Sequence, residues 1–341
     1  MKKRWGTILQ IAATYIGTVV GAGFASGKEI VEFFTVYGLV GLIGILVSGM
    51  LFIWIGTKMM LLSHRIGAYS YEELNTYIFG EMVGKVINVL TLLILFGVTS
   101  VMLSGTGSIF EEQLGFSYQW GILFTLILCY AVMIKGLDGI LAVNSLVVPM
   151  MLFFSFLIAT SLLGHHDFSH VFQKEEAQVT WKSLVSPFAY VAFNLAMAQA
   201  VLVPLGKEIK DESVLKWGGF WGGIGLCCML ISYHLALSSL PNVAQFNVPI
   251  AEVLEDFGSF IHILFLIVVY GEIFTTLIGN VFGISRKMQK FFVISEKWMI
   301  VGILLLSFLI SQIGFGSLLG FLYPLFGYTG LLLLFCIAVK Q

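Results

Sequence analysis

Apolar stretches of about 20 residues recur from one end of this chain to the other, the length one helix needs to cross a hydrocarbon core of roughly 30 Å. Such stretches must satisfy their backbone polar groups within a bilayer, which favours helices. Composition removes the soluble alternative. Charged residues make up 11% of the 341-residue chain and hydrophobic ones 58%, whereas about a quarter of a soluble domain is charged. Eighteen Lys and Arg with nineteen Asp and Glu cannot coat a soluble globule of this size, so an ordinary soluble enzyme is excluded. A net charge of −1 provides no basic field, and a nucleic-acid-binding role has no electrostatic basis. The expected partners are the lipid bilayer and a small-molecule solute.

Measured against the bilayer, the chain divides into ten segments, approximately 6–36, 38–62, 83–110, 117–135, 138–163, 184–206, 214–239, 258–285, 296–314 and 316–339. Three longer loops remain, 63–82, 164–183 and 240–257; the first contains Tyr71-Glu-Glu-Leu-Asn-Thr-Tyr77, which predicts a short helix on the membrane surface. No room is left for a soluble domain, so 1–341 is read as a single integral membrane domain. Met1 to Arg4 resembles the start of a signal peptide but is followed by no small-residue cleavage pattern. It reads as the cytoplasmic start of the first helix. Cys129, Cys227, Cys228 and Cys336 lie inside apolar runs without CxxC spacing, as small buried hydrophobes do.

The positive-inside rule orients the spans. With the N-terminus in the cytoplasm, the inside set is Lys2, Lys3, Arg4, Lys58, Arg65, Lys85, Lys135, Lys207, Lys210, Lys216, Arg286, Lys287, Lys290, Lys297 and Lys340, or 15 of the 18 basic residues. Lys174 and Lys182 fall outside and Lys28 lies within the first span. Both termini are then cytoplasmic in the cell membrane. Spans six to ten start on the opposite side from spans one to five, giving two inverted repeats, 6–163 and 184–339, an arrangement that transporters use.

The first span is too long for one straight crossing, and its middle reads Gly17-Thr-Val-Val-Gly-Ala-Gly-Phe-Ala-Ser-Gly27. Glycines and small residues at this density are poor helix formers. A tight packing face is the alternative reading. Lys28, Glu29 and Glu32 follow at once, and charge at such depth usually faces a water-filled cavity. An unwound stretch there offers amides to an anion and carbonyls to a cation. In an inverted repeat the sixth span should break likewise; it runs from Pro187 to Pro204 with Asn194 and Gln199 near its centre and no glycine between. Those two polar residues serve equally well as hydrogen-bonding glue between helices.

The eighth span carries Glu272, Thr275, Thr276, Gly279, Asn280 and Gly283 on one helical face. That stripe faces protein or water. A carboxylate at the depth of Glu272 must be paired, bind a cation or carry a proton; it is either a functional group or a protonated acid locking helices together. Thr275 and Thr276 opposite unwound carbonyls would form an all-oxygen environment suited to a small, hard cation. In the third span Gly97, Ser100, Ser104 and Gly107 recur at helical spacing. They read as a packing groove, with Ser100 or Ser104 a minor candidate for lining the site.

Two motifs carry a family resemblance. Gly17-x-x-Val20-Gly21-x-Gly23 in a broken first helix, with the paired hydroxyls Thr275 and Thr276 in the eighth of ten spans, resembles the LeuT-fold transporters of the amino acid-polyamine-organocation superfamily. The string Gly-Ala-Gly-Phe-Ala-Ser-Gly-Lys-Glu-Ile, 21–30, resembles the YkvI-type bacterial membrane proteins, over the whole chain. The resemblance implies an all-α fold of ten transmembrane helices in two inverted five-helix repeats, with helices one and six interrupted. It implies that the amides of Gly21, Ala22, Gly23, Phe24, Ala25, Ser26 and Gly27 hold a substrate carboxylate, with Phe193, Asn194, Ala196 and Met197 lining the other side of the pocket. It implies a sodium site formed by the carbonyls of Gly17 and Val20, a carbonyl one turn before the threonines, and the Thr275 and Thr276 hydroxyls. Phe24 stands where relatives with a second, substrate-touching sodium have Asn, which argues against that second ion. Lys28 lies near the place where relatives keep a basic outer-gate residue. Glu272 is outside the sodium pattern and, with Lys28, Glu29 and Glu32, is a proton or gate candidate.

The expected function is secondary active transport of a small zwitterionic or carboxylate, amino acid-like solute by alternating access. Sodium is the coupling ion and no other cofactor is expected. The alternatives are a nutrient sensor or receptor subunit that kept the fold without transport, and a proton-coupled transporter using Glu272. His165, His166, Asp167 and His170 in the outer loop have a spacing compatible with metal, though exposed polar clusters are more often simply solvated. His64, His234 and His262 have no visible ligand partner, and an intramembrane enzyme is disfavoured.

Overall fold

The computed structural model describes residues 2–165, 179–240, 242–245, 249–254, 258–289, 294–313, 330–331 and 334–339. Every regular element among them is helical. In order they are α1 (Lys2–Val19), α2 (Ala22–Ala25), α3 (Lys28–Phe33), α4 (Gly38–Leu51), α5 (Thr57–Ile66), α6 (Tyr71–Ser108), α7 (Tyr118–Met133), α8 (Gly136–His165), α9 (Trp181–Glu208), α10 (Glu212–Ser238), α11 (Pro249–Leu254), α12 (Ser259–Met288) and α13 (Glu296–Ser311). Six helical stretches among the described residues are long and apolar enough to cross a bilayer: Lys28–Ile66, Tyr71–Glu111, Gly136–Ile158, Trp181–Glu208, Glu212–Ser238 and Phe260–Met288. The shorter apolar α7, together with α1 and α13, falls where the fourth, first and ninth segments are expected. Most of the tenth segment lies outside the described residues, as do His166, Asp167 and His170.

The surface of the bundle is that of a lipid-facing protein. Ile43, Met50, Ile127, Leu146, Phe153 and Leu309 are all exposed, an apolar belt that water would penalise and acyl chains accept. Exposed Trp5, Trp120, Trp181 and Trp298 sit in the first turns of α1, α7, α9 and α13, at the ends of helices where amphipathic rings settle against headgroups.

Burial separates central helices from peripheral ones. In α9, 89% of the most apolar window is buried, against 33% in α8. α1 packs on α8, α9, α10 and α12, while α12 also meets α6 and α2. Small residues allow these close approaches: a side chain on Gly17 would run into the Asn144 carboxamide of α8, and one on Gly283 into Ala200 of α9.

A helix is present over the residues expected to form one, as the first turns of α6, which kinks at Gly80 (φ 78°, ψ 174°), a conformation open essentially to glycine alone. Its elbow is held by Asn75, which donates to Asn88 Oδ1 at 3.0 Å, and by the buried Lys287 ammonium, which donates to the Asn88 carbonyl at 2.8 Å.

One expectation is corrected. The sixth span is not interrupted: α9 runs unbroken from Trp181 to Glu208. Leu195-Ala-Met-Ala-Gln-Ala200 is a run of strong helix formers with no glycine to release the backbone. Its polar side chains bond to their own helix, Asn194 Nδ2 to the Tyr190 carbonyl and Gln199 Nε2 to the Ala196 carbonyl, each at 2.9 Å.

Candidate functional site

The first span does break. α1 ends at Val19, and the next backbone bonds, Ala25 to the Gly21 carbonyl at 2.8 Å and Gly27 to the Phe24 carbonyl at 2.9 Å, belong to the isolated turn α2. The bonds that would continue α1, from the amides of Gly21, Ala22, Gly23 and Phe24 to the carbonyls of Gly17, Thr18, Val19 and Val20, are missing among the described residues. Four carbonyls and four amides thereby lose their helical partners at the centre of the bundle. Gly27 (φ 81°) then turns the chain into α3, a left-handed conformation that other residues adopt at a cost.

α12 meets this break with its polar stripe. The Thr276 hydroxyl donates to the Val20 carbonyl at 2.5 Å, and the Thr275 hydroxyl to the Glu272 carbonyl at 2.9 Å. Thr276 Oγ1 also lies 3.3 Å from where a Cβ on Gly21 would stand, so a larger residue there would push the threonine back by a few tenths of an ångström. The Val20 and Glu272 carbonyls and the two hydroxyls, all buried, form a set of neutral oxygens, with Gly17 one turn before Val20. Hard oxygen donors of this kind suit a small alkali cation. Among the described residues no group of three or more His, Cys, Asp or Glu is placed to hold a metal.

Above the threonine pair lies buried acid. Glu272 is fully buried, and neither carboxylate oxygen has a hydrogen-bond partner among the described residues. Glu29 is buried as well and close enough for the two charges to act on each other. Tyr190 and Tyr233 are buried close to Glu272 as well, and the Tyr233 hydroxyl makes no hydrogen bond among the described residues. Sequence reasoning missed both tyrosines, although a phenol in mid-span needs a partner and is a usable signal. It also missed Asn144 of α8, whose Oδ1 is unpartnered against Gly17.

The expected substrate-lining residues divide. Gly21, Gly23, Phe24, Ala25, Ser26, Phe193, Asn194, Ala196 and Met197 are all buried, and Ala22 belongs to α2. Phe24 packs on Tyr233 at 5.1 Å between ring centres, and Asn194 Oδ1 is buried without a partner. Ser26 donates to the Gly23 carbonyl at 3.2 Å and caps the Lys28 amide at 3.3 Å. Ser100 spends its hydroxyl on the Phe96 carbonyl of its own helix at 2.9 Å, whereas Met102, unremarked in the sequence, reaches Gly21. Lys28 donates to the Ala244 carbonyl at 3.0 Å, and the Ile250 amide of α11 to the Ser26 carbonyl at 3.2 Å, so the turn at 243–245 and α11 close over the break. Glu32 is exposed and stands apart from the buried acids.

No protein-family model matches the chain. Among solved structures, MhsT in complex with L-phenylalanine superposes with a TM-score of 0.66 over 92% of this chain and 80% of its own. Mhp1, a nucleobase-cation-symport-1 family transporter with bromovinylhydantoin bound, superposes with a TM-score of 0.61 over 95% of this chain and 77% of its own. Both are LeuT-fold transporters, and at 14% identity the likeness concerns the fold. In sequence the chain is 27% identical to protein YyaD of Bacillus subtilis (strain 168), over 98% of this chain and 96% of that one. It is 43% identical to the membrane protein YkvI of the same organism, over 100% of this chain and 98% of its relative. With that identity along its full length and a backbone that follows LeuT-fold transporters, the chain belongs to the YkvI family of multi-pass membrane proteins.

Proposed function

We propose that this protein is a secondary active transporter that moves a small zwitterionic or carboxylate solute by alternating access, coupled to sodium, through ten helices in two inverted repeats with both termini cytoplasmic. The observation that carries the reading is the Thr276 hydroxyl on the Val20 carbonyl, where α1 has lost its next helical bonds. A sodium ion drawing on the Gly17, Val20 and Glu272 carbonyls and the Thr275 and Thr276 hydroxyls would tie the broken helix to α12. Because such an ion binds only when the two elements are together, it shifts the conformational equilibrium by its differential affinity. The solute carboxylate takes the amides freed at Gly21 and Phe24. Phe193, Asn194 and Met197 of α9 form the facing wall, which needs no break in that helix.

The test is uptake into proteoliposomes, screened over amino acids and small organic acids with and without a sodium gradient. Uptake depends on sodium and falls with Thr276→Ala. Uptake indifferent to both rejects the sodium site, and solute binding without uptake or exchange assigns the protein to sensing instead. A second reading, proton coupling through Glu272, is favoured by its two buried, unpartnered carboxylate oxygens. Uptake driven by a proton gradient in sodium-free medium and lost in Glu272→Gln would select it.

A further inference from the structure

A separate site lies on the flank of the bundle, away from the broken helix. Trp54, Lys58, Leu61 and Arg65 share one face across the π turn Phe52–Gly56 and α5, and Lys216 and Phe220 of α10 face them across a groove of about 450 Å³. That volume is in the range that encloses a small ligand. Its charges are graded along the helices. Arg65 and Lys216 stand near the helix ends with side chains more than half exposed, and both converge on Glu212, at 3.0 Å and 3.8 Å. Lys58 sits about 10 Å deeper by helical rise, its ammonium 5.9 Å over the Trp54 ring and donating to the Ala338 carbonyl at 3.0 Å. Among the described residues that line the groove, one neighbouring carboxylate faces three cations, which leaves an excess of positive charge. Among and below the cations its walls are apolar and aromatic, and Phe220 is braced between Trp217 and Trp221 at 5.7 Å and 5.5 Å.

Orientation alone requires cations at a membrane edge, but not a concavity with an apolar floor between two helices. Basic groups set along an apolar groove whose Trp54 and Phe220 rings are exposed complement an anionic phospholipid: phosphate at Lys58, Arg65 and Lys216, one acyl chain along Trp54, Leu61 and Phe220. Basic pockets between transmembrane helices are the usual receptors for such headgroups. We propose that this groove is a binding site for an anionic phospholipid, with Glu212 as an internal competitor that holds Arg65 and Lys216 when the lipid is absent. The proposal is independent of the transport reading.

The experiment is thermal unfolding of the full chain in neutral detergent, titrated separately with phosphatidylglycerol in mixed micelles, with phosphatidylcholine and with inorganic phosphate. Phosphatidylglycerol raises the unfolding midpoint by mass action, while the other two do not. At about fivefold per basic residue, the double variant Lys58→Gln/Lys216→Gln raises the half-saturating phosphatidylglycerol concentration roughly 25-fold. Glu212→Gln acts the other way, lowering it about fivefold although it removes two ion pairs. This variant keeps the test decisive where the double variant fails to fold. A shift of equal size with phosphatidylcholine overturns the proposal, as does an equal shift with inorganic phosphate alone. So does a Glu212→Gln variant that titrates like the parent or more weakly.

Discussion

Replacing Thr276 by valine keeps the β-branched shape and removes one hydroxyl. In the structure that hydroxyl is the hydrogen-bond donor to the Val20 carbonyl, which has already lost its helical amide and is buried. Leaving a buried acceptor unsatisfied costs about 1–3 kcal/mol, and because volume is nearly conserved no cavity cost is added. The sodium-free protein is therefore destabilised by about 1–3 kcal/mol, unless water enters the break. The second effect is the sharper one. At a sodium concentration ten times its dissociation constant the parent gains about 1.4 kcal/mol from the ion; the variant, lacking one of the proposed ligands, gains less than half of that at the same concentration. The assay is thermal unfolding in detergent, in sodium chloride against choline chloride at matched ionic strength, so that screening is constant. A variant that loses stability in choline but keeps the full sodium increment shows Thr276 to be a structural clasp and refutes the assigned ion site. A parent with no sodium increment refutes it as well.

Two further tests separate roles that the site combines. Glu272→Gln keeps the backbone carbonyl that accepts from Thr275 and removes only the side-chain charge, so the sodium increment persists while any pH dependence of uptake disappears; loss of the increment would mean that the carboxylate itself holds the ion. Gly27→Ala and Gly67→Ala both place alanine at positive φ, 81° and 67°, at about 1–2 kcal/mol each. Only the alanine at 27 meets neighbours, Ile250 at 2.9 Å and Leu237 at 3.1 Å. It should therefore unfold at lower temperature than the alanine at 67, by an overpacking cost of about 1–3 kcal/mol; equal midpoints would contradict the closure of α11 over the break.

What could be read in advance followed from terms that act locally along the chain. Apolar run length located the helices, and the glycine density between 17 and 27 located the break, because helix propensity is a property of neighbouring residues. The threonine pair was legible for the same reason: spacing alone puts 272, 275 and 276 on one face of α12. Distant partners leave no such trace. Lys28 is satisfied by the Ala244 carbonyl, 216 positions away, and no local pattern announces a backbone acceptor. Inferring a broken sixth span from a broken first one failed because symmetry of topology does not transmit backbone conformation; each helix breaks only where its own residues make breaking cheap, and Leu195 to Ala200 do not. Lys58, Arg65 and Lys216 were counted for orientation, yet their convergence on one groove depends on which faces of two helices meet. A residue's sign is therefore readable from the sequence, while its partner emerges only from packing. The unpartnered atoms of Glu272, Tyr233 and Asn144 are where packing has left polar capacity unused, and a buried site meant to receive an ion or a solute needs that capacity.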